Sequence, residues 1–210
     1  MKRYFSKLLL IVFLHLAVGN IYGQETDMKE ILRAAEAGYP HYLAKIPVGQ
    51  ESFYGFNNRE EFSEVKVGKP YKILTFRYNI FKETAPNLDN FRPTGEWRIP
   101  LTVNGVNRVL ISVAKINKVW QVVSIGSAGL AKELIAFEKG YSLQNQQGFL
   151  LSVFQLDCDF FLVPQNNSIK NPRIYPLASA RMMLNKTSDE ISSYSVSQIM
   201  SMIREKSNDK

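Results

Sequence analysis

The chain has 210 residues, with 26 Lys and Arg against 19 Asp and Glu for a formal net charge of +7, two histidines and one cysteine. The basic residues are scattered, with no run of five or more to track phosphates, so nucleic-acid binding is excluded as an expectation. The single cysteine, Cys158, excludes an internal disulfide and a cysteine-rich zinc site.

Lys2, Arg3 and Lys7 precede an apolar stretch from Leu8 to Val18, and small and polar residues follow, ending in Ile21-Tyr22-Gly23. This three-part order predicts a secretory signal peptide over 1–23, cleaved before Gln24. The apolar stretch is about 11 residues where roughly 20 are needed to span a bilayer, which argues against an uncleaved anchor. No cysteine lies near the cleavage point for lipid attachment, and no later window is long and apolar enough to span. The expected product is secreted or periplasmic, without stable membrane insertion. Because Lys2, Arg3 and Lys7 supply three bases and 1–23 holds no acid, residues 24–210 carry about +4. They are read as a single α+β domain, with a possible subdivision near 141–148.

In chain order, Asp27 and Glu30 have capping-box spacing ahead of Met28, Ile31, Leu32 and Ala35, which predicts a helix stopped at Gly38. Residues 39–56 mix aromatics with Pro and Gly and no clean period, an expected aromatic loop. A short helix from Asn58, with Glu61 at the capping-box position, is broken at Gly68-Lys69-Pro70, and Tyr71 to Tyr78 alternates as a strand. Pro86, Pro93 and Gly95 mark 81–95 as a long surface loop.

A three-strand meander follows. Trp97, Ile99, Leu101 and Val103 share one face, Asn104-Gly105 signals a tight turn, and Val109, Ile111 and Val113 share a face of the next strand. Asn117 and Lys118 turn the chain again into Val119 to Ile125. Ser127 is placed to cap a helix with Leu130, Leu134 and Phe137 inward and Gly140 as its stop. After a polar connector at 144–148, the apolar run 149–163 predicts one long or two short strands, and 174–184 a further one, set at an edge by Pro176. Ser195 and Gln198 open a carboxy-terminal helix with Val196, Ile199, Met200 and Ile203 on one stripe. The expected fold class is α+β: an antiparallel sheet, with the meander at its centre, packed with amino-terminal, middle and carboxy-terminal helices.

Residue chemistry offers few sites. Cys158 and His41 are the one cysteine–histidine pair outside the leader, but Cys158 falls in phase with Phe154, Leu156, Phe160 and Leu162, which predicts an inert core thiol. Asp157 and Asp159 alternate to the opposite face, about 7 Å apart on a strand. They are the weak candidates for a cation or a carboxylate pair, beside the plainer expectation of a solvated strand face. Gly126-Ser127-Ala128-Gly129 joins strand to helix where amides can hold an anion, yet it is too short for a P-loop, lacks the lysine, and follows hairpins, so ordinary turn chemistry is expected. No G-x-S-x-G is present. The weak ligand-binding candidates are Tyr39, His41, Tyr42, Phe53 and Tyr54, which equally suit a lid on the core.

With no convergent chemistry and no cofactor motif, the expected function is an exported noncatalytic binding or accessory protein, not an enzyme, acting on a peptide, a glycan or another exported macromolecule such as a peptidase. The alternatives are an exported hydrolase using Asp157 and Asp159 or the Cys158/His41 pair, and a structural component of an envelope assembly.

Overall fold

The computed structural model describes residues 27–76, 91–141, 147–165, 168–186 and 192–208. The leader expected over 1–23, the connector core at 142–146 and most of the loop expected over 81–95 lie outside the described residues. Eight strands among them form one mixed sheet: β1 (Lys66–Val67), β2 (Tyr71–Phe76), β3 (Phe91–Val103), β4 (Val106–Ile116), β5 (Val119–Gly126), β6 (Phe149–Val153), β7 (Cys158–Gln165) and β8 (Ser168–Pro176). The order is β5-β4-β3-β2-β6-β7-β8, with β1 also on β3. Every pairing is antiparallel except β2 with β6. Four helices accompany it: α1 (residues 27–44), α2 (Ala128–Gly140), α3 (Ala178–Met183) and α4 (Val196–Asn208). The fold is mixed α+β, as the composition of elements predicts, but the meander β3–β4–β5 forms one end of the sheet, with β5 at its edge, rather than its centre, because β2 pairs onward with β6. The β2–β6 ladder runs across the 141–148 connector, so one sheet contains the strands on both sides of it.

Two faces follow from the register. Trp97, Ile99, Leu101, Val109, Ile111, Val113 and Val122 meet Ile31, Ala35 and Leu43 of α1. Leu74, Leu151, Cys158, Phe160, Leu162 and Ile174 meet Ile199, Met200 and Ile203 of α4. Lys72 is the cross-strand partner of Trp97 and shares its face with Leu74, so α1 and α4 cover two halves of the same face. The opposite face, through Tyr71, Leu110, Leu150, Phe161 and Val163, packs on Ala131, Leu134 and Phe137 of α2, over the parallel junction. Each fully buried Leu, Ile or Phe contributes about 1.5–3 kcal/mol of transfer free energy.

Both hairpins of the meander turn as their residues dictate. Asn104 and Gly105 have φ of 50° and 74°, and Asn117 and Lys118 have 49° and 70°. Two successive positive φ values define the turn whose twist matches the flanking strands. The Ser195 box also forms: Gln198 N–H donates to Ser195 Oγ at 3.3 Å, and Ser195 N–H to Gln198 Oε1 at 2.9 Å.

Other expectations need correction. Helix α1 does not stop at Gly38; it passes through Gly38 and Pro40 to residue 44. A Cβ on Gly38 would lie 2.6 Å from Val122 Cγ2, so the glycine serves a close helix-to-strand approach rather than a cap. Residues 91–95 are strand, not loop. Pro93 pairs with Leu74, and a bulge opposite Ile73 absorbs Thr94, Gly95 and Glu96, with Thr94 Oγ1 donating to the Ile73 carbonyl at 3.2 Å. The strand expected over 174–184 ends at Pro176, after which 178–183 are helical. Pro176 does lie on an edge strand, β8.

Both sheet edges are shielded. Tyr194 makes a two-bond bridge to Ile174 on β8. On β5 the register shifts between Val122 and Ser124, and the Tyr42 hydroxyl donates to the Val122 carbonyl at 2.9 Å. A bulge and a capped carbonyl both disfavour addition of another strand.

Candidate binding surface

The segment after α1 is fastened at three points. Ile46 and Phe56 are buried plugs at its ends, and Phe56 meets Phe62 edge to face at 4.9 Å. Between them a turn closes by Gln50 N–H to Pro47 O at 3.1 Å, and one 3-10 turn spans Glu51–Tyr54. Glu51 is the third point, 8% exposed. Its Oε2 accepts Gly49 N–H at 2.8 Å and its Oε1 accepts Arg59 Nη1 at 3.0 Å; the same Arg59 nitrogen donates to Ile46 O at 3.0 Å. Glu51's own backbone amide and then the Arg59 guanidinium hold its carboxyl below the usual carboxylate range, outweighing the opposing effect of burial. A carboxylate accepting several donors at once organises a loop as a cap organises a helix.

This clamp leaves two large apolar side chains in water, Val48 at 83% exposure and Phe53 at 80%. The five aromatic and histidine candidates therefore separate. Tyr39, Tyr42 and Tyr54 are half-buried against the α1 core, and the Tyr39 and Tyr42 hydroxyls serve backbone carbonyls of Val65 and Val122. His41 is exposed on α1, edge-on to Tyr42. Phe53 alone projects from the loop. The expected aromatic loop is thus corrected: residues 39–44 belong to α1, because tertiary bonds from Tyr39 and Tyr42 hold the chain helical past its glycine and proline. Val48 escaped sequence reasoning because one valine in a Pro-Val-Gly turn carries no periodicity.

The chemical candidates do not converge. Cys158 is 3% exposed beneath α4, and burial first, then the charges of Asp159 and Asp157, push its thiol up to about 12. His41 is carried by α1, which covers the other half of the sheet. Asp157 and Asp159 do not share a strand face. Residues 154–156 form a 3-10 turn, and Asp157 ends it at φ 49°, so alternation begins only at Cys158. Asp157 is exposed in the turn, whereas Asp159 on β7 accepts the Ser152 hydroxyl and donates its N–H to Ser179 Oγ at 2.9 Å. The same phase break leaves Phe154 59% exposed, against expectation. Among the described residues no group of three or more His, Cys, Asp or Glu is arranged to hold a metal.

Ser127 precedes α2 but does not cap it. It adopts φ 58° and ψ 47°, and its Oγ accepts Arg98 Nη1 at 3.4 Å. Arg98 had no sequence signal, since 29 residues separate it from Ser127.

These features define a mixed α+β protein with a clamped apolar loop. Compared with known proteins, the chain matches no family model, no curated protein and no solved structure. Among the described residues no helix is long and apolar enough to cross a membrane.

Proposed function

We propose that the protein is exported and acts as a noncatalytic binding or accessory module, gripping a peptide, a glycan or another exported macromolecule through Phe53 and Val48. The observation that carries this is their exposure on a loop whose conformation is already determined by Glu51 and Arg59. Burying an exposed Phe and Val against a partner gains transfer free energy, and a clamped loop loses little conformational entropy on binding. Aromatic residues held in this way are the usual anchors of interfaces. Export rests on the tripartite leader at 1–23.

Peptide and glycan arrays probed with the protein and with its Phe53→Ser/Val48→Ser variant test the loop. Binding that disappears in the variant while the unfolding midpoint is preserved is the expected result; hits that persist in the variant would sink it. Amino-terminal sequencing of the exported product is expected to start at Gln24, and a chain retained in the cytoplasm with its leader intact would overturn the export reading.

A further inference from the structure

A row of polar side chains crosses the sheet on the α2 face. Register sets Arg98 of β3 opposite Ser112 of β4, and Ser112 opposite Ser124 of β5. Arg98 is also the partner of Tyr71, whose side chain packs under α2, so the row belongs to that face. Arg98 Nη1 reaches Ser127 Oγ, just past β5, at 3.4 Å. Two strand spacings, roughly 10 Å, separate β3 from β5. The guanidinium must therefore lie across β4, which accounts for Ser112 being only 7% exposed.

The hydrogen bonding of this row does not close. A guanidinium has five donors, yet among the described residues Arg98 makes only the long contact to Ser127, and its Nε is buried without a partner. Ser112, more than nine-tenths buried, has no hydrogen bond to its hydroxyl among the described residues. Among the described residues four other half-buried cations have a glutamate each, Arg59 with Glu51, Lys69 with Glu138, Arg108 with Glu61 and Arg181 with Glu133, while Lys72 lies over the Trp97 ring. Arg98 has no such glutamate. Glu96, two residues along the same face, is half-buried, and among the described residues it makes no ion pair with Arg98. A buried donor left unmade is costly, so the Arg98 Nε, beside a serine hydroxyl that has no partner among the described residues, calls for an acceptor.

The start of α2 adds donors to the same place. Ser127 turns its hydroxyl to Arg98 instead of capping, so the first amides of this 13-residue helix have no side-chain acceptor, and the helix presents its positive end.

We propose that Arg98, Ser112, Ser124, Ser127 and the first turn of α2 bind a tetrahedral oxyanion, the phosphate or sulfate ester group of a larger ligand. The donors belong to three parts of the fold: a guanidinium fork on β3, hydroxyls on two strands and the Ser127 turn, and the first amides of α2. A carboxylate holds its acceptor sites in one plane, whereas a tetrahedral group spreads its oxygens in three dimensions and so matches donors from three parts of the fold better. This inference does not rest on the role of the Phe53 loop.

The test is thermal unfolding of the full-length protein in sodium phosphate, sodium sulfate or sodium chloride at matched ionic strength, at pH 5.5 and pH 8. A ligand preferring the folded state raises the midpoint. Phosphate and sulfate are expected to raise it above chloride with saturation. Arg98→Gln should weaken the apparent affinity about tenfold or more, and Ser112→Ala about fivefold. A phosphate effect that grows towards pH 8 beyond a constant sulfate effect assigns a phosphate ester, because the second phosphate proton leaves near neutrality. Equal effects at both pH values assign a sulfate ester. Should Arg98→Gln fail to fold, Ser124→Ala and Ser127→Ala, at exposed positions, carry the same comparison. No excess over chloride, or an excess unchanged in these variants, overturns the proposal.

Discussion

The Tyr42 hydroxyl donates to the Val122 carbonyl at 2.9 Å across 80 residues of sequence, tying the last turns of α1 to the edge strand β5. About one turn earlier Gly38 lets the same helix touch Val122 directly. Tyr42 is thus a structural fastening, and its ring and hydroxyl answer to different substitutions.

Tyr42→Phe should cost about 1 kcal/mol, the net worth of one hydrogen bond. Tyr42→Ala should cost about 3 kcal/mol or more, because packing is lost too. Urea unfolding of both variants measures the two costs, and a Tyr42→Phe variant as stable as the unaltered protein would show that the bond contributes nothing.

Gly55 carries two constraints at once. Its φ is +81°, and a Cβ there would lie 2.3 Å from the Arg108 carbonyl oxygen. Gly55→Ala should destabilise by about 2–4 kcal/mol. Gly105 also has a positive φ, +74°, but nothing lies within 4 Å of its would-be Cβ. Gly105→Ala should therefore cost only about 1 kcal/mol of backbone strain. Similar losses at the two sites, measured by denaturant midpoints, would mean that the backbone approach at Gly55 relaxes freely.

Glu51 makes the loop sensitive to acid. Its folded carboxyl titrates below its ordinary value, so the stability it contributes is fully present above that ordinary value and is lost as pH falls through the lower, folded one. Glu51→Gln should destabilise the protein at pH 7, and the gap from wild type should narrow below about pH 4. Unfolding midpoints across that range decide it; a gap that does not narrow would place the clamp elsewhere.

Cys158 should resist thiol reagents at pH 8 in the folded protein, since burial pushes its thiol up to about 12. Reaction should become fast in denaturant, where the thiol titrates near 8.5. Rapid native-state labelling in a colorimetric thiol assay would contradict its place beneath α4.

Much of this molecule was written locally. The Asn104-Gly105 turn needs only residues tolerant of positive φ, the Ser195–Gln198 box only four neighbouring residues, and the burial of Cys158 follows from its alternation with Phe160 and Leu162. Where local signals failed, a distant partner had overruled them. Gly38 reads as a helix stop until Val122 lies against it, and the Asp157–Asp159 alternation holds only if no turn intervenes at 154–156.

By itself the sequence determined the α+β class, the meander, the carboxy-terminal helix cap and the core identity of the cysteine, because each depends on periodicity or a turn a few residues long. Tertiary structure alone decided which aromatics face water, that β2 pairs in parallel with β6, and that Arg98 meets Ser127 over Ser112. Those facts depend on strand register and on helices laid across it, where residues far apart in the chain become neighbours only after the sheet has closed its ladders.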